Sequence, residues 1–273
     1  MLDGRPFVKL SGAGNDFIVL AERDCRAVDP SQLARALCAR GLSLGADGLI
    51  VVGEPIAGDV PVRFYNPDGS RAELCGNGSR CVARYAVEAG LAPAGPFRLL
   101  TDAGTLDVQA AGAGRFAVAM PEPEDVQRDV TAIHDFGSPA PVHALRVGVP
   151  HAVVVVPDVE TLSDAEITAV GRRLRYDPAF PDGANGDFVT LLPDGRLRQR
   201  TYERGVEALT KACGTGATAS AYVAQTLLAR SWPLTVCVDG GTLIVDRRDG
   251  RLWLEGDARV IAAGRLGADA LSW

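Results

Sequence analysis

The chain has 273 residues, 47% of them hydrophobic and 23% charged, which is long enough for one large domain or two small ones with a real core. Its net charge of −6, without basic clustering, excludes a nucleic-acid surface, while a local site could still hold an anionic small molecule. The six cysteines (Cys25, Cys38, Cys75, Cys81, Cys213 and Cys237) form no Cys-x-x-Cys pair and no dense framework, so free thiols in a reducing cytoplasm are expected.

The first residues, MLDGRPFVKLSGAGNDF, lack a basic stretch followed by an apolar one, so no signal peptide is expected. SGAG at 11–14 is a weak match to a dinucleotide loop, lacking the third glycine and the following helix. Residues 30–40 read as a helix. LIVVG (49–53) and VPVRFYN (60–66) read as strands between Gly, Pro and Asp signals. A helix is expected over 77–89, stopped by Gly90, then strands at FRLLTD (97–102), TLDVQAA (105–111) and RFAVAM (115–120). MPEPEDVQ at 120–127 reads as a linker. Beyond it come the strand HAVVVV (151–156), a helix over 163–175, and the strands GDFVTLL (186–192) and LRQRTYE (197–203). A helix over 215–230 follows, then LTVCVD (234–239), TLIVDRR (242–248) and RLWLEGD (251–257). The uncharged stretch 212–229 contains Gly, Thr, Ser and Gln, so it reads as a buried helix and not a membrane span.

Several of these elements recur in order. GAGNDFIVL (12–20) resembles GANGDFVTL (183–191), and RFYN (63–66) resembles RTYE (200–203). Cys-Gly-x-Gly occurs at 75–78 and 213–216, and DAGTLDV (102–108) resembles DGGTLIV (239–245). Preserved order argues for two related halves, each a curved sheet around one helix.

The two Cys-Gly-x-Gly sites carry the chemistry. A helix N-terminus presents unpaired N–H groups and partial positive charge, and glycine lets those amides approach an anion. A thiolate is favoured there, so both thiols are expected to titrate low. Two such thiols facing each other could bracket an α-carbon whose carboxylate rests on the helix N-termini. One sulfur would remove the α-proton and the other would donate on the opposite face. The same amides would stabilise the developing enediolate. No pyridoxal-anchoring motif is recognisable, so a cofactor-independent reaction is expected, with no metal. Cys25, Cys38, Cys81 and Cys237 read as buried small hydrophobes. On local grounds alone His151 could be a core histidine, Asn15 and Asn185 turn residues, and Arg204 a solvated side chain.

Together, GAGNDF (12–17), GADG (45–48), FYNPDGSRAELCGNGSRC (64–81), PHAVV (150–154), GANGDF (183–188) and TYERG…ACGTGA (201–217) resemble the diaminopimelate epimerase family along nearly the whole chain. The resemblance implies an α/β protein of α+β type with two pseudo-symmetric domains, 1–118 plus 258–273 and 119–257. Each would be a strongly curved, mostly antiparallel sheet or barrel around a central helix. It implies a cytoplasmic isomerase interconverting LL- and meso-2,6-diaminopimelate for lysine and peptidoglycan precursors. The same resemblance suggests a homodimer without nucleic-acid or membrane partners. Carried over by position, Cys75 and Cys213 are the two bases, and His151 and Glu203 tune them. Gly76, Asn77, Gly78, Gly214 and Thr215 hold the reacting carboxylate. Asn15, Asn66, Asn185, Glu203 and Arg204 line the substrate pocket, with Arg204 suited to the distal carboxylate. Three features depart from the family pattern. Val149 stands where an asparagine is usual, the segment around Glu207 is one residue longer, and Ala262 replaces an aromatic residue at the dimer contact. Two other functions stay open: a related amino-acid racemase of different or broader specificity, and a thiol-based redox or soft-metal-binding protein. Asn77, where proline racemases usually carry histidine, favours the diaminopimelate branch.

Overall fold

The computed structural model describes residues 3–26, 28–137, 139–227 and 229–271. The chain divides into two compact units, residues 1–118 with 256–273, and residues 119–255. The first unit begins with β1 (Pro6–Gly12), β2 (Asn15–Ala21), the single turn α1 (Glu22–Cys25) and α2 (Pro30–Leu37). It continues through β3 (Gly48–Val52), β4 (Val60–Tyr65), β5 (Arg71–Ala72), α3 (Gly76–Glu88), β6 (Phe97–Thr101), β7 (Gly104–Ala110) and β8 (Arg115–Ala119). The second unit runs through β9 (Glu124–Ile133), β10 (Ala140–Val147), β11 (Val149–Val155), α4 (Asp164–Arg175), β12 (Asn185–Leu191) and β13 (Leu197–Glu203). It ends with β14 (Ala208–Thr210), α5 (Gly214–Leu227), β15 (Leu234–Val238), β16 (Gly241–Arg248) and β17 (Arg251–Asp257). Finally β18 (Arg259–Arg265) returns to the first unit and pairs with β1.

The two sheets have the same wiring. In the first unit the order is β18-β1-β2-β3-β4-β6-β7-β8, antiparallel except for the β2–β3 and β4–β6 pairs. In the second it is β9-β10-β11-β12-β13-β15-β16-β17, antiparallel except for β11–β12 and β13–β15. The expected mixed α/β fold of two similar halves is what the chain forms. One strand breaks the parallel: β9 leads its unit, whereas its counterpart β18 comes from the end of the chain.

Each sheet is covered on both faces. In the first unit Leu33 and Leu37 of α2 pack on Ile18, Leu20, Leu49 and Val51. On the opposite face α3 touches β1, β2, β3, β4 and β7. In the second unit Ile167, Val170 and Leu174 of α4 cover Ala152, Val154 and Phe188, while α5 touches β10, β11, β12, β13, β15 and β16. Strands buried on both faces read as continuous apolar runs, which is why β3 is GLIVV and not an alternating sequence. A helix that meets strands from across its own sheet must be thin. Accordingly the first eight residues of α5 are all Gly, Ala, Thr or Ser, with Gly214 and residues 216–221 buried.

Two expectations are corrected. Strand β2 runs parallel to the next strand, β3, and its counterpart is β11, which runs parallel to β12. The partner of GANGDFVTL in β12 is therefore GADGLIVV (45–52) in β3, not GAGNDFIVL. Both strands follow a Gly-Ala turn, and that shared turn chemistry misaligned them. The segment read as a linker, 120–127, already contains the start of β9. Seven of β9's ten residues are exposed and its ladder with β10 is interrupted twice, so no apolar alternation marks it.

Gly171 shows how closely α4 lies on β13. A Cβ there would fall 2.7 Å from Cγ of Tyr202, which is buried and donates its hydroxyl to Glu207 at 3.1 Å. Gly171→Ala is expected to destabilise the protein by about 1–3 kcal/mol, read as a lower urea midpoint at unchanged slope. An unchanged midpoint would contradict this packing.

Candidate active site

In the first unit Cys75 is the N-cap of α3, with extended backbone (φ −140°, ψ 111°) and its sulfur accepting the Gly78 N–H at 3.4 Å. Gly78 must be glycine, because a Cβ would lie 2.9 Å from the Phe64 ring. Asn15 is delivered by the β1–β2 hairpin, whose central residues Ala13 and Gly14 have φ of 51° and 81°. Its Oδ1 lies 3.5 Å from Asn77 Nδ2 and 3.9 Å from Cys75 Sγ. Its Nδ2 donates to Asp47 at 2.8 Å. Arg80, 0% exposed, donates to Asn77 Oδ1 at 2.8 Å. Arginine only donates and an ionised carboxylate only accepts, so the two ends fix both amide orientations. Asn15 therefore presents an acceptor to Cys75. Gly76 and Asn77 complete the first turn of α3, whose amides lack intrahelical acceptors. Asn66 is exposed, and its amide bonds Ser70 within a turn at 2.9 Å.

In the second unit Cys213, 5% exposed, immediately precedes α5, and its carbonyl accepts the first helical hydrogen bond, from Ala217 N. Thr215 Oγ1 lies 3.4 Å from its sulfur. A Cβ at Gly214 would reach within 2.8 Å of Leu254, and one at Gly216 would overlap the Asp187 carboxylate. Behind this turn lies a buried polar group. His151 Nδ1 is 2.7 Å from Asp187 Oδ2, and both residues are 0% exposed. Asp187 Oδ1 accepts from Thr201 Oγ1 at 2.8 Å and Gln199 Nε2 at 3.3 Å. Glu203 follows on the same face of β13 by strand alternation. Asn185 Oδ1 accepts the Arg204 backbone N–H at 2.7 Å, and the Arg204 guanidinium donates to the Asp182 carbonyl at 2.9 Å. Glu207, in the lengthened segment, accepts from Gly205 N, Arg175 Nε and Tyr202 Oη at 3.0–3.1 Å, which ties down the β13–β14 turn.

The electrostatics of Cys213 reverse the expected direction. Burial pushes its thiol well above the ordinary range, and the negative charges of Glu203 and Asp187 push it further. The Thr215 hydroxyl and the Gly216 amide oppose this without overcoming it. Burial likewise raises the Glu203 carboxyl, reinforced by Asp187. A helix N-terminus lowers a thiol only where solvent and charge allow it. Of the remaining cysteines, Cys38 and Cys81 are buried and pushed up to about 12, and Cys25 is also buried. Cys237 departs from expectation: it is only half-buried and lies 3.5 Å from Arg196.

Asp187, Asp47 and Arg80 escape a reading by sequence alone, although each stands inside a quoted motif (GANGDF, GADG, CGNGSRC). Charged residues beside glycines read as turn or surface residues, and only the fold shows them buried or bonded to site residues.

A model of the diaminopimelate epimerase family matches residues 7–126 and 143–261. A diaminopimelate epimerase of Methanocella arvoryzae is 37% identical, across 96% of this chain and 97% of that one. One of Aquifex aeolicus is 36% identical, across 98% and 99%. Among solved structures, a PhzF-family phenazine biosynthesis protein of Bacillus anthracis aligns with a TM-score of 0.73 at 15% identity, covering 97% of this chain and 99% of that one. A hydroxyproline epimerase of Agrobacterium vitis aligns with a TM-score of 0.68 at 17% identity, covering 97% and 92%. At those identities the structural matches establish the fold alone.

The unequal surroundings of the thiols predict unequal reactivity. Under brief exposure to iodoacetamide at neutral pH, Cys75 should be alkylated at least about tenfold faster than Cys213, as resolved by peptide mass spectrometry. Glu203→Gln should narrow the gap by removing a negative charge near Cys213. Equal rates in the wild type would refute the asymmetry.

Proposed function

The chain belongs to the diaminopimelate epimerase family and is an isomerase, and from that premise we propose that it interconverts LL- and meso-2,6-diaminopimelate by two-base proton transfer at Cα. The observation that carries this reading is that each unit sets a cysteine at the glycine-rich start of its central helix. In the proposed reaction the substrate carboxylate rests on the amides of Gly76, Asn77 and Gly78 and of Gly214 and Thr215. One thiolate takes the α-proton, and the electron pair moves into the carboxylate as an enediolate, which those amides stabilise. The other thiol then delivers its proton to the opposite face, so each turnover inverts Cα and exchanges the protonation states of the sulfurs. The high-lying Cys213 thiol suits the donor at rest, with Cys75 as first base. His151 and Glu203 tune this proton balance, while Asn15, Asn66, Asn185 and Arg204 hold the rest of the substrate. No cofactor takes part in this scheme. Its setting is the cytoplasm, in the synthesis of lysine and peptidoglycan precursors. A homodimer is part of the same reading, supported by β18, whose seven residues are all exposed, Val260 and Ile261 among them.

A second reading, a racemase of broader specificity, rests on Val149. It begins β11, two residues before His151, and brings no hydrogen-bonding side chain to that position. Deuterium uptake at Cα from heavy water, under reductant, separates the readings when diaminopimelate isomers are run beside a panel of other amino acids. Uptake confined to diaminopimelate is expected. Cys75→Ala and Cys213→Ala should each reduce epimerisation by at least about 100-fold. Uptake only with other amino acids would replace the substrate, and none with any substrate would overturn the two-base reaction.

A further inference from the structure

A fully buried carboxylate needs a reason. Asp187 lies in β12 between β11 and β13, directly opposite Thr201 in the β12–β13 register. Its Oδ1 is occupied by the Thr201 and Gln199 donors, which leaves Oδ2 for His151 Nδ1 at 2.7 Å. Burying a carboxylate with only two neutral donors is costly, so the imidazole N–H is the partner that completes it. An ionised carboxylate has nothing to donate, so the proton of this bond belongs to Nδ1. The other ring nitrogen, Nε2, is buried and has no hydrogen-bond partner among the described residues. The backbone at Gly216 closes over the carboxylate, so Asp187 also supports the turn that follows Cys213.

We propose that Asp187 is a positioning residue of the epimerase reaction: it pins the His151 proton to Nδ1 and so makes Nε2 the single nitrogen that gives or takes a proton. The inference rests on the reading of His151 as a residue that tunes the thiol chemistry. A carboxylate that fixes a histidine tautomer acts on rate more than on substrate binding, and exchanging it for the isosteric amide presents the wrong ring nitrogen. Besides Asp187, Glu203 of β13 interacts electrostatically with the ring. Gly216 has no room for a side chain because the carboxylate fills that space, which couples the His151 pair to the helix start bearing Cys213.

The chain contains only three histidines, so nitrogen-15 NMR of the histidine-labelled full-length protein can read His151 directly, assigned by comparison with single His→Gln variants. The expected result is an Nδ1 that stays protonated across the accessible pH range while only Nε2 titrates. A neutral ring protonated on Nε2 would overturn the proposal. In Cα exchange, Asp187→Asn should lower kcat by about 100-fold or more, leave KM within about threefold, and shift or erase one limb of the pH profile. A folded Asp187→Asn enzyme with the wild-type kcat and profile would also overturn it. If that variant does not fold, Thr201→Val keeps the charge and removes one donor. It should lower kcat by about tenfold and move the Nε2 titration, and unchanged values count against the proposal. Failure of the parent reading looks different: the wild type would show the Nδ1–H tautomer and yet exchange no substrate.

Discussion

The organising constraint is a helix threaded through the concave side of its own sheet. Such a helix must be thin where strands approach it, so α3 and α5 both begin Gly-x-Gly and α5 continues with small residues through its first two turns. That demand and the chemistry coincide. Residues without side chains leave the first amides of the helix open to an anion, and the cysteine that caps the helix becomes the side chain nearest to it. At Gly78 and Gly216 the absent Cβ makes room for Phe64 and for the Asp187 carboxylate respectively. One glycine accommodates the core and the other accommodates a buried charge.

The units share a topology but not an electrostatic sign. Around Cys75 the buried charge is the Arg80 guanidinium, which bonds Asn77 and the Gly76 carbonyl, with no carboxylate bonding it among the described residues. Around Cys213 the neighbouring charges are carboxylates, the buried Asp187 and the half-buried Glu203. A cation nearby favours a thiolate and an anion favours a thiol. The proposed two-base reaction, with one sulfur as base and the other as acid, would be served by this opposition, whereas two identical half-sites would leave both thiols in the same state. The equal folds and unlike fields are compatible: the first sets each cysteine at the start of a helix, and the second gives the two thiols different surroundings.

Much of this was legible in the sequence. The apolar runs of β3 and β11, the glycine-limited α3 and the uncharged α5 announce themselves, because burial on both faces leaves an unmistakable composition. The cysteines at the two helix starts were equally plain. What the sequence hid was context. The direction in which Cys213 is shifted depends on Glu203 and Asp187, ten and twenty-six residues earlier in the chain. The counterpart of β2 is hidden in the sequence because turn residues repeat more faithfully than the strands they introduce. Strand β9 is hidden as well, because its exposed residues carry no periodic signal.

The one breach of the internal repeat has a structural consequence. The outer partner of β10 is β9, its near neighbour in sequence, whereas the outer partner of β1 is β18, with Val8 opposite Ala263. The second unit completes its sheet from one continuous stretch, but the first does so only with residues 259–265, which follow the whole second unit in sequence. Closing a loop of that length is entropically slow before its contacts repay it. The outer edge of β1 in the first unit, which carries Cys75, is therefore paired by a strand more than 180 residues beyond that thiol. The Ala13 amide of the hairpin that delivers Asn15 is itself held by Asp257, at 3.0 Å, so the same closing segment that pairs with β1 also fixes the loop beside Cys75.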